Sequence, residues 1–75
     1  MKNEDMIRMA NQIAAYFNAY GDEEGTAGTA DHIKMFWEPR MRDQLFKYLD
    51  ETGGKNLVPM ALEAAKKLKK AYQPA

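Results

Sequence analysis

Cysteine and serine are both missing from this 75-residue chain, and histidine and tryptophan occur once each. Without cysteine there is no disulfide framework and no thiolate-held zinc or iron-sulfur centre. Without serine or cysteine the commonest nucleophiles are gone, and no residue at a useful spacing makes the single imidazole, His32, a general base or a metal ligand. His32 is read instead as a surface or half-buried helix residue. No apolar run approaches the ~18 to 20 residues that span a bilayer, and the opening MKNEDM has acids where a secretory leader needs an apolar core. Net charge is lacking as well. Eleven basic and eleven acidic residues cancel, so no overall field draws the chain to nucleic acid or to an anionic membrane. These absences lead to the expectation of a cytoplasmic chain with no membrane or nucleic-acid partner, no catalytic residue, no cofactor and no metal.

The length carries a further consequence. A chain of 60 to 80 residues buries only ~60% of the surface its unfolded form exposes, and such a core rarely supplies more than ~3 to 5 kcal/mol. With disulfides and thiolate metals excluded, a partner chain is the remaining source of stability. Dimerisation of the isolated chain is left open at this point.

What is present reads as one helical domain over residues 1–75, an all-α antiparallel bundle of about four helices. Met6, Met9, Ile13, Tyr16, Phe17 and Tyr20 recur at threes and fours, the stripe of an amphipathic helix. Asn3 is its expected N-cap, Glu4 and Asp5 suit its first turn, and Gly21 is its stop. Residues 21–30, GDEEGTAGTA, hold three glycines and no large apolar side chain, and are expected to form a loop. Thr29 then caps a short second helix through Trp37, with Ile33, Phe36 and Trp37 inward. Proline disfavours α geometry before it and suits a first helical turn, which predicts a helix break at Glu38-Pro39. Met41, Leu45, Tyr48 and Leu49 stripe the third helix up to Gly53 and Gly54. A fourth runs from about Pro59 to Tyr72, with Ala61, Leu62, Ala65, Leu68 and Tyr72 inward and its lysines outward.

Other patterns carry less chemistry than they first suggest. Asp22, Glu23 and Glu24 lack the alternate spacing and closing Glu of a calcium loop. The GTAG at 25–28 has the form of a phosphate-clamping loop, but three acids precede it. The KKLKK run at 66–70 complements a helix C-terminus and keeps its outer face wet; it is the only support for an alternative reading, a small helical adaptor or nucleic-acid-associated protein. The six methionines fall mainly on helical stripes and serve as core filler.

The stretch HIKMFWEPRM, residues 32–41, collects the only His, the only Trp, a Phe, a Pro and an Arg, with Arg42 next. Phe36 and Trp37 can fill a small core. Arg40 and Arg42 occupy the first turn of the third helix, where cations meet the positive end of the dipole at about 0.3 to 1 kcal/mol each. Something must offset that cost, and Trp with Arg is the composition of interface hot spots. Phe36, Trp37, Arg40, Met41 and Arg42 are therefore the expected partner interface.

Three blocks also carry a family resemblance. IRMANQIAAYF (7–17), HIKMFWEPRMRDQL (32–45) and NLVPMALEAA (56–65) resemble, in order and spacing, the signature blocks of the small delta subunit of NAD-dependent formate dehydrogenases that contain molybdenum or tungsten. The third block departs from the pattern at Asn56, where the family usually has glycine, and after Pro59. The resemblance implies that larger subunits carry the pterin metal centre, the iron-sulfur clusters and the flavin and oxidise formate to CO2 with NAD+. It implies for this chain a non-catalytic role, stabilising the catalytic assembly or helping it mature, with the catalytic molybdenum or tungsten subunit as partner.

Overall fold

The computed structural model describes residues 1–73 and contains four α-helices and no strand among them: α1 (Asn3–Phe17), α2 (Asp22–Phe36), α3 (Pro39–Thr52) and α4 (Pro59–Tyr72). A short 3₁₀ turn, Asn18–Tyr20, joins α1 to α2. All four helices contribute to one core. Met6, Ala10 and Ala14 enter it from α1, Ile33 from α2, Leu45, Phe46 and Tyr48 from α3, and Ala61, Ala65 and Leu68 from α4. The radius of gyration is 11.0 Å, against about 11 Å expected for a compact chain of this length. The all-α bundle matches the expectation.

The Pro39 corner forms as the sequence dictates, one residue early. Phe36 ends α2, Trp37 and Glu38 are extended at ψ 137° and 152°, and Pro39 opens α3. The Trp37 amide still donates to the Ile33 carbonyl at 3.0 Å, closing the last turn of α2.

The expected loop at 21–30 is instead the first two-thirds of α2. Glycine breaks a helix only when nothing repays its conformational entropy, and here close packing does. A Cβ at position 25 would lie 2.5 Å from the Met60 Cε and 2.7 Å from the Phe17 carbonyl oxygen; one at position 28 would lie 2.5 Å from the Phe17 ring. The glycines let α2 settle against α1 and α4. Thr29 is no cap either: fully buried in mid-helix, its hydroxyl donates back to the Gly25 carbonyl at 2.8 Å.

Further expectations are corrected, among them Tyr72 of α4, expected inward but exposed. Lys2, not Asn3, occupies the N-cap position of α1, with no side-chain cap bond; the Asn3 carbonyl oxygen Oδ1 accepts from Gln44 Nε2 on α3 instead. Ala10 and Ala14 form the inward line of α1, while Tyr16 and Tyr20 face out. Phe36 also faces out, and Phe46, absent from the expected α3 stripe, is buried.

Candidate functional site

Arg42 explains much of the corner. Its Nη1 donates to the Trp37 carbonyl at 2.8 Å and the Lys34 carbonyl at 3.2 Å, both at the C-terminal end of α2. Its guanidinium lies 5.0 Å from the Tyr72 ring centroid, and Tyr72 in turn neighbours Phe46 at 6.1 Å. A cation misplaced on α3 is thus well placed for the end of α2, where the Lys34 carbonyl of the last turn carries the negative end of the dipole and the extended Trp37 just beyond offers a second acceptor. The charge that seemed to need a partner is satisfied within the chain. Arg42 ties the corner to the end of α4.

The other four expected interface residues separate into two groups. Trp37 is only 5% exposed and belongs to the core, and Met41 is half-buried against it. Trp37 therefore supports the corner from beneath and presents no open face. Phe36 is 68% exposed. Arg40 is exposed, and no hydrogen bond or ion pair of its side chain is found among the described residues.

Phe36 belongs to a larger apolar face that sequence reasoning missed. Its ring stacks on His32 at 4.6 Å, His32 meets Phe17 at 6.1 Å, and Phe17 meets Tyr16 at 5.0 Å and Tyr20 at 5.9 Å. This ladder runs along the α1–α2 seam, beside a groove lined by Met9, Gln12, Ile13, His32, Phe36 and the largely buried Trp37. Tyr16 is 68%, Tyr20 55% and Met35 75% exposed. The overlooked signal was width. Met6, Ala10 and Ala14 already complete one inward line of α1, so Met9, Ile13, Tyr16 and Tyr20 form a second apolar line, more than one core-facing helix requires.

The first and third signature blocks meet through Asn11. Its Nδ2 donates to the Asn56 carbonyl at 3.0 Å and its Oδ1 accepts from the Val58 amide at 2.9 Å, holding α1 to the start of α4. Asn56 has φ 71° and is the single non-glycine residue with positive φ among those described. Asparagine tolerates this left-handed region better than any residue but glycine, so the departure from the family glycine keeps the backbone shape. On α4, Lys69 pairs with Asp50 at 3.1 Å, and Lys66, Lys67 and Lys70 are exposed.

The comparison with known proteins bears on all of these blocks together. A family profile described as NADH-dependant formate dehydrogenase delta subunit FdsD matches residues 5–65. The chain belongs to this delta-subunit family. No curated protein and no solved structure matches it. The matched span runs from the first turn of α1 well into α4 and takes in Asn11, the α2 glycines, the Pro39 corner and Asn56. Membership in a delta-subunit family implies association with other formate dehydrogenase subunits.

Few side chains of this delta-subunit chain are of the types that ligate metals through sulfur or imidazole. The chain has no thiolate, its one imidazole is packed between two rings, and among the described residues no three His, Cys, Asp or Glu side chains stand close enough to hold a metal ion. Among the same residues no helix is long and apolar enough to cross a membrane.

Proposed function

We propose that this chain is a non-catalytic subunit of a cytoplasmic NADH-dependent formate dehydrogenase, binding the catalytic molybdenum or tungsten subunit and stabilising the assembly or aiding its formation. The observation that carries the reading is an exposed Phe36 and an exposed Arg40, unpaired among the described residues, on either side of a corner held by buried Trp37 and the Arg42 hydrogen bonds, within a chain that belongs to the delta-subunit family. Phe36 and Arg40 are the contacts; Trp37, Met41 and Arg42 set their geometry. Full burial of an aromatic side chain contributes about 1.5 to 3 kcal/mol, so covering the exposed two-thirds of Phe36 contributes about 1 to 2 kcal/mol. Arg40 adds a fork of donors for a carboxylate or for backbone carbonyls. A ligand that binds only the folded assembly stabilises it by mass action, which is how a subunit without chemistry raises the yield of active enzyme. The bond-making steps of formate oxidation are assigned to the larger subunits.

The test is omission. The remaining formate dehydrogenase subunits are co-expressed with and without this chain, and assembled complex and formate-dependent NAD+ reduction are measured. The proposal requires less assembled complex, or a shorter active lifetime, without the chain, and restoration when it is supplied. Equal yield and equal lifetime in both preparations would refute it.

A further inference from the structure

We infer that the aromatic face along the α1–α2 seam is a docking surface for another subunit of the enzyme, one that presents an apolar ridge flanked by lysine or arginine; this rests on the subunit role proposed above. The face is built from Tyr16, Tyr20, Met35 and Phe36 around the His32–Phe17 stack. At about 200 Å² per aromatic side chain, the exposed parts of Tyr16, Tyr20 and Phe36 amount to about 400 Å². That is as large as the biggest apolar patch on a typical monomer, ~300 to 600 Å². It is also about half of the ~800 Å² each partner contributes to a standard interface. The face therefore supplies an apolar centre and leaves the other half to a rim.

The charge of that rim identifies the occupant. Asp31 lies one turn before Met35 on the outer side of α2, and Glu24 two turns before Asp31 on the same stripe; Asp22 and Glu23 follow directly after the Tyr20 end. All four carboxylates are exposed, and none makes an ion pair among the described residues; the exposed cations nearby, Lys34 and Arg40, lie toward the Phe36 end, so the rim is acidic along the outer side of α2 and at the Tyr20 end. The α1 edge is neutral, because Asp5 and Arg8 pair with each other at 3.1 Å. A second copy docked face to face would bring this acidic rim against itself, which costs rather than gains. A second copy docked through its lysine-rich α4 would match in charge, but a head-to-tail contact that does not close makes open chains. A different subunit with basic residues around an apolar ridge satisfies both the centre and the rim.

The experiment titrates this chain against the formate dehydrogenase assembly prepared without it, at low and high salt. Circular dichroism melts on every variant check the fold. Tyr16→Ser and Phe36→Ser each weaken binding at least tenfold with melts unchanged; if Phe36→Ser lowers the melt, Met35→Ser reads the same face. The double reversal Glu24→Lys and Asp31→Lys weakens binding at low salt and flattens its salt dependence. If the parent binds and the face variants bind equally well, this surface and the Phe36 contact proposed above are both wrong, while association through another surface stands. If the reversal tightens binding, the partner rim is acidic and the inference falls. If the parent does not bind the assembly at all, the subunit role and this inference fall together. If the parent forms dimers that Tyr16→Ser dissolves, with assembly binding intact, the face belongs to a second copy and the inference is overturned.

Discussion

Replacing Arg42 by alanine should destabilise the isolated domain by about 1 to 2 kcal/mol, whereas the same change at Arg40, two residues away, should stay within about 0.5 kcal/mol. Arg42→Ala removes hydrogen bonds to the Trp37 and Lys34 carbonyls. A bond from a charged donor contributes about 1.5 to 3 kcal/mol when well placed. The shorter of the two is part-buried and the longer exposed, which keeps the sum near the lower figure. Loss of the cation over the Tyr72 ring costs about 0.5 to 1 kcal/mol more. Against this, removing a cation from the first turn of α3 returns about 0.3 to 1 kcal/mol, leaving about 1 to 2 kcal/mol net. Arg40 has no such partners among the described residues and is an ordinary surface position for stability. For a domain of this size a loss of about 1 to 2 kcal/mol lowers the melting temperature by about 4 to 16 °C. Urea and thermal melts followed by circular dichroism read both variants. Arg42→Lys should recover little, since an ammonium cannot reproduce the planar fork. Equal melts for the two alanine variants would refute the assignment of Arg42 as the tie between α2, α3 and α4.

Gly25→Ala should destabilise the domain by about 1 kcal/mol in urea melts, although alanine is the better helix former by about 1 kcal/mol. Met60 can swing away from the new Cβ but the Phe17 carbonyl cannot, and overpacking costs about 1 to 3 kcal/mol; a stabilised variant would contradict the packing account. Asn56→Gly should leave stability within about 0.5 kcal/mol, whereas Asn56→Val should cost at least about 1 kcal/mol, since a β-branched residue resists the left-handed backbone at φ 71°. Thermal melts on the pair separate backbone shape from side-chain chemistry. Asn11→Ala should cost about 1 kcal/mol by losing its two bonds to residues 56 and 58, with faster amide exchange at Val58 as the local signature.

Helix identity was legible wherever large apolar residues recur at helical spacing, as with Leu45, Tyr48 and Leu68, and wherever proline sets the backbone, as at Pro39. It failed at residues 21–30 because a sequence shows glycine as a breaker and does not show what a Cβ would strike. The hint was there: Asp22, Glu23 and Glu24 suit a first helical turn, and Gly25 with Gly28 and Thr29 puts small residues on one face at spacings of three and four. Inward and outward faces were confused for a related reason. Alanines at 10 and 14 are buried on the inward line of α1, and the bulkier Tyr16 and Tyr20 are the residues left outside. The corner was found from composition, but Arg40 and Arg42 could be told apart only once the terminal carbonyls of α2 were placed beside one and not the other.

The most direct measurement is to isolate this chain, tagged at one terminus, from its native host at natural expression level and to identify and quantify what elutes with it by mass spectrometry. The account predicts near-stoichiometric recovery of the larger formate dehydrogenase subunits, with formate-dependent NAD+ reduction in that fraction and none in the chain purified alone. Recovery of the chain free of those subunits, or formate oxidation by the chain alone, would contradict it.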